Sequence, residues 1–466
     1  MKKSKKTTLL GENLIENYKN FLNNGKTERE CVSQIIKTAE AYGYKNIFDC
    51  KSVKAGDKVY VQKMNKAIAL FQIGSDSIEN GMNILGAHVD SPRLDAKQNP
   101  IYEKDFVTYL NTHYYGGIKK YQWVTLPLAI HGVVCKTDGT CISVNIGEDE
   151  IDPVFCISDI LPHLAQDQMK KNGTEIIKGE DLDVIIGSIN PSKKDEKTDD
   201  EKKKDKKKKK EEKLTSKKII LELLRKKYNI DEKDLESAEL EIVPAGKARD
   251  CGLDRSLILG YGQDDRSCAF TSFAALMDSE PEARTSCCIC VDKEEIGSVG
   301  ATGMGSHVFE NAVAELIARM PGGYSDLSLR RCLANSNMLS SDVNAAYDPI
   351  NPGLYDRDNA SFLGGGLVFN KYTGSRGKSG ANDANPEFIA KLRGCMVNAG
   401  VNYQMAELGK VDQGGGGTIA YLASKYGMNV IDAGVPVLSM HAPWEITARE
   451  DIIQAYNGYK SFLKLK

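Results

Sequence analysis

The chain has 466 residues, a length that indicates two or three domains rather than one. Its hydrophobic fraction of 41% and charged fraction of 27% are ordinary for a globular protein, and its net charge of -2 gives no overall attraction to nucleic acid or an acidic membrane. No apolar run approaches the roughly 20 residues of a membrane span, and the apolar stretch after the basic N-terminus is too short for a signal peptide. We therefore expect a cytoplasmic protein without a membrane anchor.

The twelve cysteines are scattered, and several lie in the apolar stretch "TSCCICV". A free thiol in such surroundings behaves as a small hydrophobic group, so we predict free cysteines in a reducing compartment. Cys287 and Cys290 form a C-x-x-C motif inside a predicted strand. No second pair follows at zinc-ribbon spacing, which favours packing over redox or zinc chemistry.

The predicted elements begin with two helices between residues 11 and 43, where Leu14, Tyr18 and Leu22 recur at helical spacing. "KAIALFQIG" and "MNILGAHVD" then predict buried strands. Between about 93 and 246 the pattern becomes β-rich, and "IHGVVCKTDGTCISVNIG" predicts a hairpin that turns at Asp138 and Gly139.

From about residue 247 predicted strands and helices alternate. The predicted helices are "DRSCAFTSFAALM", "HVFENAVAELIARM", "NPEFIAKLRGCMVNAG" and "TIAYLASKYGM", and the predicted strands are "TSCCICVD", "NMLSSDV" and "VPVLSMH". Alternation of this kind indicates an α/β fold with a mainly parallel sheet flanked by helices. We therefore predict one main domain from residues 1–92 and 247–466, with residues 93–246 inserted as a β-rich domain.

A charged run covers residues 193–213 of the insertion, with 12 lysines and 8 acidic residues. It has no apolar anchor, which predicts a mobile loop. The acids interleaved with its lysines, and the lack of aromatic residues for base stacking, argue against nucleic-acid binding.

Five short strings place polar residues of metal-ligand type where predicted strands end or glycines cluster. They are "GAHVDSP" (His88, Asp90), "GYGQDDRS" (Asp264, Asp265), "VDKEEIGS" (Glu294, Glu295), "LSSDVNAAYDP" (Asp342) and "SMHAPWE" (His441, Glu445). Each alone has a structural explanation, such as a cap or a satisfied core histidine. Together they would repel one another without cations. Nitrogen and oxygen donors without thiolate suit zinc, cobalt or manganese, and so many acids favour two ions that share one carboxylate.

Glu294 and Glu295 are adjacent, and neighbouring residues in an extended segment point in opposite directions. One can therefore bind metal while the other acts as general base to a water whose pKa the metal lowers. Such chemistry suits the hydrolysis of peptides or amides.

In combination, "GAHVDSP", "DKEEIGS" and "SDVNAAYDP", with "YYGGIKKYQW" in the insertion, resemble the aspartyl aminopeptidase and aminopeptidase I family of dinuclear zinc exopeptidases over nearly the whole chain. The resemblance implies a zinc exopeptidase-like catalytic domain, an inserted dimerisation domain, and two zinc ions per subunit. It implies dimers that assemble into a tetrahedral dodecamer acting on peptides.

The resemblance also assigns roles to individual residues. Asp264 is expected to bridge the two ions, followed by a cis peptide bond to Asp265. Glu294 is the expected general base, and Asp90 is expected to hold a histidine ligand in place. The expected ligands of one ion are His88, Asp264 and Asp342, and those of the other are Asp264, Glu295 and His441.

Three further residues are expected to contact substrate. His163, in "ISDILPHLAQ", matches a family segment that reaches into a neighbouring subunit's active site, although a surface histidine is an equal alternative. Thr418 follows the glycine-rich "GGGGTIAY". Where relatives selective for acidic residues carry a lysine, this chain has Asn370, with Lys371 one place later. A preference for N-terminal Asp or Glu is therefore left open.

Two rival functions remain at this stage. A carboxypeptidase or amide deacylase would use the same dinuclear centre, and a peptide- or cargo-binding protein would keep the fold without catalysis. A binding protein has no need of a general base such as Glu294, which favours the aminopeptidase.

Overall fold

The computed structural model describes residues 9–188, 215–376 and 378–466. The charged run of residues 193–213 lies outside the described residues. The chain forms two compact units, one from Met1–Pro92 and Lys247–Lys466 and the other from Arg93–Gly246. No helix in the described ranges is both long and apolar enough to cross a membrane.

The strands and helices of the described residues are numbered in chain order. The strands are β1 Lys45–Asn46, β2 Lys58–Lys63, β3 Ala67–Gln72, β4 Met82–His88, β5 Arg93–Lys104, β6 Val107–Tyr115, β7 Leu128–Cys135, β8 Cys141–Ile146, β9 Val184–Ser188, β10 Ala238–Pro244, β11 Arg249–Cys251, β12 Leu257–Gly260, β13 Thr285–Val291, β14 Asn337–Ser340, β15 Asn344–Ala345, β16 Leu367–Asn370, β17 Tyr403–Met405, β18 Asn429–Gly434, β19 Pro436–Leu438 and β20 Glu445–Ala448. The α-helices are α1 Leu14–Asn24, α2 Glu28–Ala41, α3 Ser216–Tyr228, α4 Gln263–Met277, α5 Val308–Arg319, α6 Asp326–Ala334, α7 Pro386–Ala399, α8 Ala420–Ala423 and α9 Arg449–Phe462.

The larger unit is built on a nine-stranded sheet in the order β1-β2-β3-β13-β4-β14-β18-β16-β17. Its central strands β13, β4, β14 and β18 run parallel to one another. Towards its sides the sheet is mixed: β3 pairs antiparallel with β2 and β13, and β16 pairs antiparallel with β18, whereas β1 pairs parallel with β2 and β16 with β17. Helices cover the sheet, consistent with the predicted α/β class.

Both faces of this sheet are buried. In β13, Cys288 and Cys290 belong to one hydrophobic cluster, whereas Cys287 and Ile289 belong to the other. Neighbouring side chains of a strand point to opposite faces, so each face needs its own layer of helices. The C-x-x-C cysteines are free and buried, as the packing interpretation predicts.

A second sheet of the larger unit was not predicted. It has five strands in the order β11-β12-β20-β19-β15. The string "VPVLSMH" is predicted as one of the strands that alternate with helices around the main sheet, but its strand β19 belongs to this second sheet. The predicted helices between residues 11 and 43 are confirmed as α1 and α2. "TIAYLASKYGM" forms only the four-residue α8 and a 3-10 turn, which ends at Gly427 in the left-handed conformation typical of a helix end.

The smaller unit holds a six-stranded sheet in the order β8-β7-β10-β5-β6-β9, in which every pair is antiparallel. The predicted hairpin is confirmed as β7 and β8. The prediction that all cysteines are free is wrong for one pair: Cys135 and Cys141 lie directly opposite each other in this hairpin and form a disulfide. Ten cysteines of the described residues are free.

Candidate metal centre

The candidate site lies at one edge of the main sheet, where parallel strands end together. His88 is the last residue of β4, Glu294 and Glu295 begin the turn after β13, and Asp342 follows β14 by two residues. Because β4 pairs in parallel with both β13 and β14, their carboxyl ends lie side by side. Ligands of open α/β sheets bind at such an edge.

Asp264 is the centre of the constellation. It lies at the start of α4, is buried, and directs its two carboxylate oxygens towards different histidines. Oδ1 lies 3.3 Å from His88 Nε2, and Oδ2 lies 3.3 Å from His441 Nε2. His441 Nε2 is also 3.4 Å from Oε2 of Glu295. A carboxylate with one oxygen towards each histidine has the arrangement that a bridge between two cations requires.

The peptide bond between Asp264 and Asp265 is cis, as the sequence analysis predicts. Neither residue has helical dihedral angles, although both lie inside the bounds of α4. The Asp265 side chain turns back to accept a hydrogen bond of 3.2 Å from the backbone N–H of His88.

The donor atoms lie close enough to hold cations. One nitrogen or oxygen from each of His88, Asp264 and Glu295 lies within 4.8 Å of the others, and so do donors from His88, Glu294 and Asp342. The second Glu295 oxygen, Oε1, is buried without a hydrogen-bond partner among the described residues. An orphaned buried carboxylate oxygen in a cluster of acids fits a cation, and the donors, all nitrogen and oxygen, suit zinc.

The electrostatics of the site reflect the crowding of acids. Burial raises the pKa of Glu294 to about 7 and raises the pKa of both Glu295 and Asp342 well above the ordinary range. Burial alone would raise the pKa of Asp264 too, but hydrogen bonds from His441 and His88 outweigh it and lower that pKa. Without cations, several of these acids would therefore hold protons, which bound cations would replace.

Asp90 does more than the sequence analysis predicts. Its Oδ1 lies 3.3 Å from Nδ1 of His88, the expected contact with a histidine ligand. Its two oxygens also accept hydrogen bonds from the backbone N–H groups of Glu294 and Glu295, each of 3.2 Å. One buried carboxylate thus orients both the histidine and the turn that carries the glutamate pair.

Two residues near the site received no role from the sequence. The carboxylate of Glu445 accepts hydrogen bonds from the backbone N–H groups of Asp264 and His441. Burial, with the negative charge of Asp264, raises the pKa of Glu445 to about 8. Gln263, immediately before Asp264, is buried with a hydrogen bond to the backbone of Glu445. The only sequence signal was the position of Glu445 beside His441, and Gln263 gave none.

The structure places the three predicted substrate contacts in different settings. Thr418 is half-buried at the end of the glycine-rich segment, where its hydroxyl accepts a hydrogen bond from the backbone N–H of Ala420. Lys371 directly follows β16, and its Nζ lies 2.5 Å from Oδ1 of Asp383. His163 is exposed in a 3-10 turn of the smaller unit. Their roles stay predictions.

A family profile described as aminopeptidase I zinc metalloprotease (M18) matches residues 21–463. The chain belongs to this family. A probable M18 family aminopeptidase 1 of Clostridium acetobutylicum is 55% identical over 454 residues, covering 97% of this chain and 94% of the relative. The M18 protein is accordingly a zinc metalloaminopeptidase, a hydrolase of peptides.

Solved structures agree with this membership. The crystal structure of an M18 family aminopeptidase from Thermotoga maritima is similar with a TM-score of 0.90 and 40% identity, covering 98% of this chain and 97% of that one. The mApe1 dodecamer of S. cerevisiae shares the fold with a TM-score of 0.74 at 21% identity, covering 97% and 98%.

Proposed function

We propose that this M18 aminopeptidase removes N-terminal residues from peptides at a two-zinc centre. His88, Asp264 and Asp342 would hold one ion, and Asp264, Glu295 and His441 would hold the other. The placement of the Asp264 oxygens, each 3.3 Å from a different histidine, carries this proposal. Cobalt or manganese would suit the same nitrogen and oxygen donors. Metal analysis of the purified protein, by inductively coupled plasma mass spectrometry, tests both the identity of the metal and the expected two ions per subunit.

Glu294 is the general base in this mechanism. When bound, the zinc ions supply an acidified water and polarise the scissile carbonyl. A carboxylate oxygen of Glu294 lies within 4.8 Å of donor atoms of His88 and Asp342, so the base stands beside the proposed ions, where a metal-activated water would be deprotonated. Its carboxylate takes a proton from the attacking water and then delivers that proton to the leaving amine. Asp90 keeps Glu294 in place through its backbone N–H.

The variant Glu294→Gln tests this role, since an amide keeps the size of the side chain but neither takes up nor releases a proton at neutral pH. We expect kcat to fall by about 10²–10⁴-fold while the zinc content stays unchanged. The exposed Glu387→Gln in α7 removes the same charge away from the site and serves as the control. Hydrolysis at the normal rate in Glu294→Gln would rule the mechanism out.

The contacts of Lys371 favour a neutral or broad preference for the N-terminal residue. Its ammonium is paired with Asp383 and also lies 3.8 Å from the centroid of the Tyr372 ring. A lysine whose charge is already balanced has less to offer a substrate carboxylate. Thr418 would approach the substrate from the glycine-rich segment. A panel of aminoacyl and acyl-aminoacyl reporters tests the preference and separates an aminopeptidase, which needs the free α-amine, from a deacylase.

We further propose that the enzyme works as a homo-oligomer, in dimers assembled into a tetrahedral dodecamer; the mApe1 relative of S. cerevisiae is a dodecamer. The segment around His163 supports a subunit contact, because it exposes large apolar side chains that a lone subunit would leave in water. They are Ile151, Val154, Ile160, Leu161, Leu164 and Met169. His163 would then reach the active site of the neighbouring subunit.

A complementation assay tests the contribution of His163. His163→Ala and Glu294→Gln should each be nearly inactive alone, and mixed oligomers should regain activity because one subunit keeps its own glutamate and receives an intact histidine. No recovery on mixing would place His163 outside the neighbouring site. Sedimentation velocity measures the size of the assembly.

The cytoplasm is the proposed location, because ten free cysteines among the described residues suit a reducing compartment. Cell fractionation tests it, and mass spectrometry of the purified protein shows whether Cys135 and Cys141 are paired there.

A further inference from the structure

Glu445 holds two of the candidate metal ligands by their backbones. It is the first residue of β20 and is 1% exposed. Its Oε2 accepts a hydrogen bond of 3.0 Å from the N–H of Asp264, and its Oε1 accepts one of 2.8 Å from the N–H of His441. The two oxygens of one carboxylate therefore connect the bridging candidate with a ligand that lies far from it in the sequence.

Gln263 fixes the backbone of Glu445 in turn. Its Nε2 donates hydrogen bonds of 2.6 Å to the carbonyl oxygen of Glu445 and 3.2 Å to that of Ile258. Its Oε1 accepts hydrogen bonds of 2.9 Å from the hydroxyl of Tyr18 and 2.6 Å from that of Thr447. A fully buried amide that uses both donors and accepts twice is a rigid connection between β12, β20 and the start of α4.

The segment that carries His441 needs such support. His441 has a φ of 65° and Ser439 a φ of 60°, both in the left-handed region that non-glycine residues seldom adopt. The segment from β19 to β20 is short, and the hydrogen bond of the His441 N–H to Glu445 spans it. Backbone in this region persists only where surrounding contacts determine it.

We propose that Glu445 is a positioning residue for the metal pair, which holds Asp264 and His441 at the separation that two ions sharing Asp264 require. This inference rests on the ligand set of the proposed function. Glu445 touches neither substrate nor, in this scheme, an ion; it acts through the backbones of two residues that do.

The variant Glu445→Gln tests the inference, because an amide offers one acceptor oxygen to the two N–H groups, and its NH₂ would face the other. We expect zinc to bind at least one site about 10–100-fold more weakly, measured on the full chain by competition with a chelator. The kcat should fall with little change in KM, and excess zinc should restore part of it. Glu450→Gln, five residues later and exposed, removes the same charge and should bind zinc as the wild type does.

A second variant separates geometry from charge. Glu445→Asp keeps the negative charge but is shorter by one methylene, so it cannot reach both N–H groups in place. We expect it to bind zinc nearly as weakly as Glu445→Gln. Wild-type affinity in Glu445→Asp would show that charge alone matters and would overturn the positioning role.

Thr447→Val covers the outcome in which Glu445→Gln does not fold. This variant removes the hydrogen bond from the Thr447 hydroxyl to Gln263, and we expect weaker zinc binding in a protein whose thermal unfolding without metal is cooperative. Wild-type zinc affinity in a folded Thr447→Val would count against the inference.

Asp264→Asn shows whether the ligand set or the role of Glu445 is wrong. If it retains both zinc ions, the ligand set is wrong; if it loses zinc while Glu445→Gln does not, only the role of Glu445 is wrong.

Discussion

Gly434 is a residue at which one added methyl group should disturb the candidate site. It ends β18, next to the segment that carries Asp342. A Cβ atom at this position would lie 1.8 Å from the carbonyl oxygen of Asp342, 2.5 Å from its carbonyl carbon and 3.0 Å from the backbone nitrogen of Val343. All three are backbone atoms, so no side-chain rotation relieves the clash.

The size of the effect follows from these distances. Ordinary van der Waals contact begins near 3.4 Å, so Gly434→Ala must separate the two segments by about 1.6 Å. Overpacking of this kind costs about 1–3 kcal/mol of unfolding free energy. A displacement of about 1 Å at a catalytic centre can cost about 10²-fold in rate. We therefore expect Tm to fall by about 1–3 °C in a chain of 466 residues, with kcat about 10²-fold lower.

The assay compares Gly434→Ala with Gly394→Ala. Gly394 lies inside α7 with nothing within 4 Å of an added Cβ, so its alanine should stabilise the protein by about 0.5–1 kcal/mol and leave kcat unchanged. Thermal unfolding without added metal, zinc content and steady-state hydrolysis are measured for both. Wild-type Tm and kcat in Gly434→Ala would refute the close approach of β18 to Asp342.

Four further predictions follow from single contacts. Asp90→Asn replaces one of the two acceptor oxygens by an NH₂ donor. The free energy of unfolding should fall by about 1–3 kcal/mol, measured by thermal unfolding, and kcat should fall at least tenfold. An unchanged unfolding free energy would show that the two hydrogen bonds from the backbone N–H groups contribute little. Removal of metal by a chelator should abolish hydrolysis and lower Tm, because the buried acids lose the cations that stabilise the folded state, and zinc should restore both. Burial raises the pKa of Asp451 to about 7, so the folded state binds this proton more tightly than the unfolded chain, whose Asp has a pKa of about 4. The free energy of unfolding should then fall as the pH rises from about 4 to about 7, and Asp451→Asn should flatten that slope in urea titrations. Asp383→Asn should release the Lys371 ammonium from its ion pair. The kcat/KM for peptides with an acidic N-terminal residue should then rise a few-fold relative to that for peptides with a neutral one. An unchanged ratio would show that Lys371 points away from the substrate.

Much of the site could be predicted because its residues lie at strand ends. The strings that end β4, β13 and β14 are apolar runs followed by His88, Glu294, Glu295 and Asp342, and parallel strands bring such ends together. The pairing of these ligands into two sets, and the cis bond after Asp264, came from the family resemblance rather than from spacing. Nothing in the local pattern indicates a cis bond at a non-proline residue.

The second sheet shows where local patterns fail. "VPVLSMH" is a short apolar run, and such a run predicts a strand without saying which sheet it joins. In the structure β19 pairs with β15 and β20 rather than with the main sheet. Likewise, the hairpin was predicted from its Asp-Gly turn, but the disulfide followed from the register that places Cys135 opposite Cys141.

By itself, the sequence determined the chemistry available to this protein. Which donor atoms a site can offer is a property of its side chains. The sequence therefore predicts a cation site and a glutamate base from two histidines and a group of acids at strand ends, without a thiolate among them. Only the tertiary structure decided which backbone groups the other acids hold. Asp90 and Glu445 accept hydrogen bonds from the backbone N–H groups of Glu295 and His441, and Gln263 holds the backbone of Glu445. As carboxylates, Asp90 and Glu445 could equally have been metal ligands. Their actual role depends on which hydrogen-bond donor lies about 3 Å away, and that is decided when folding brings distant segments together.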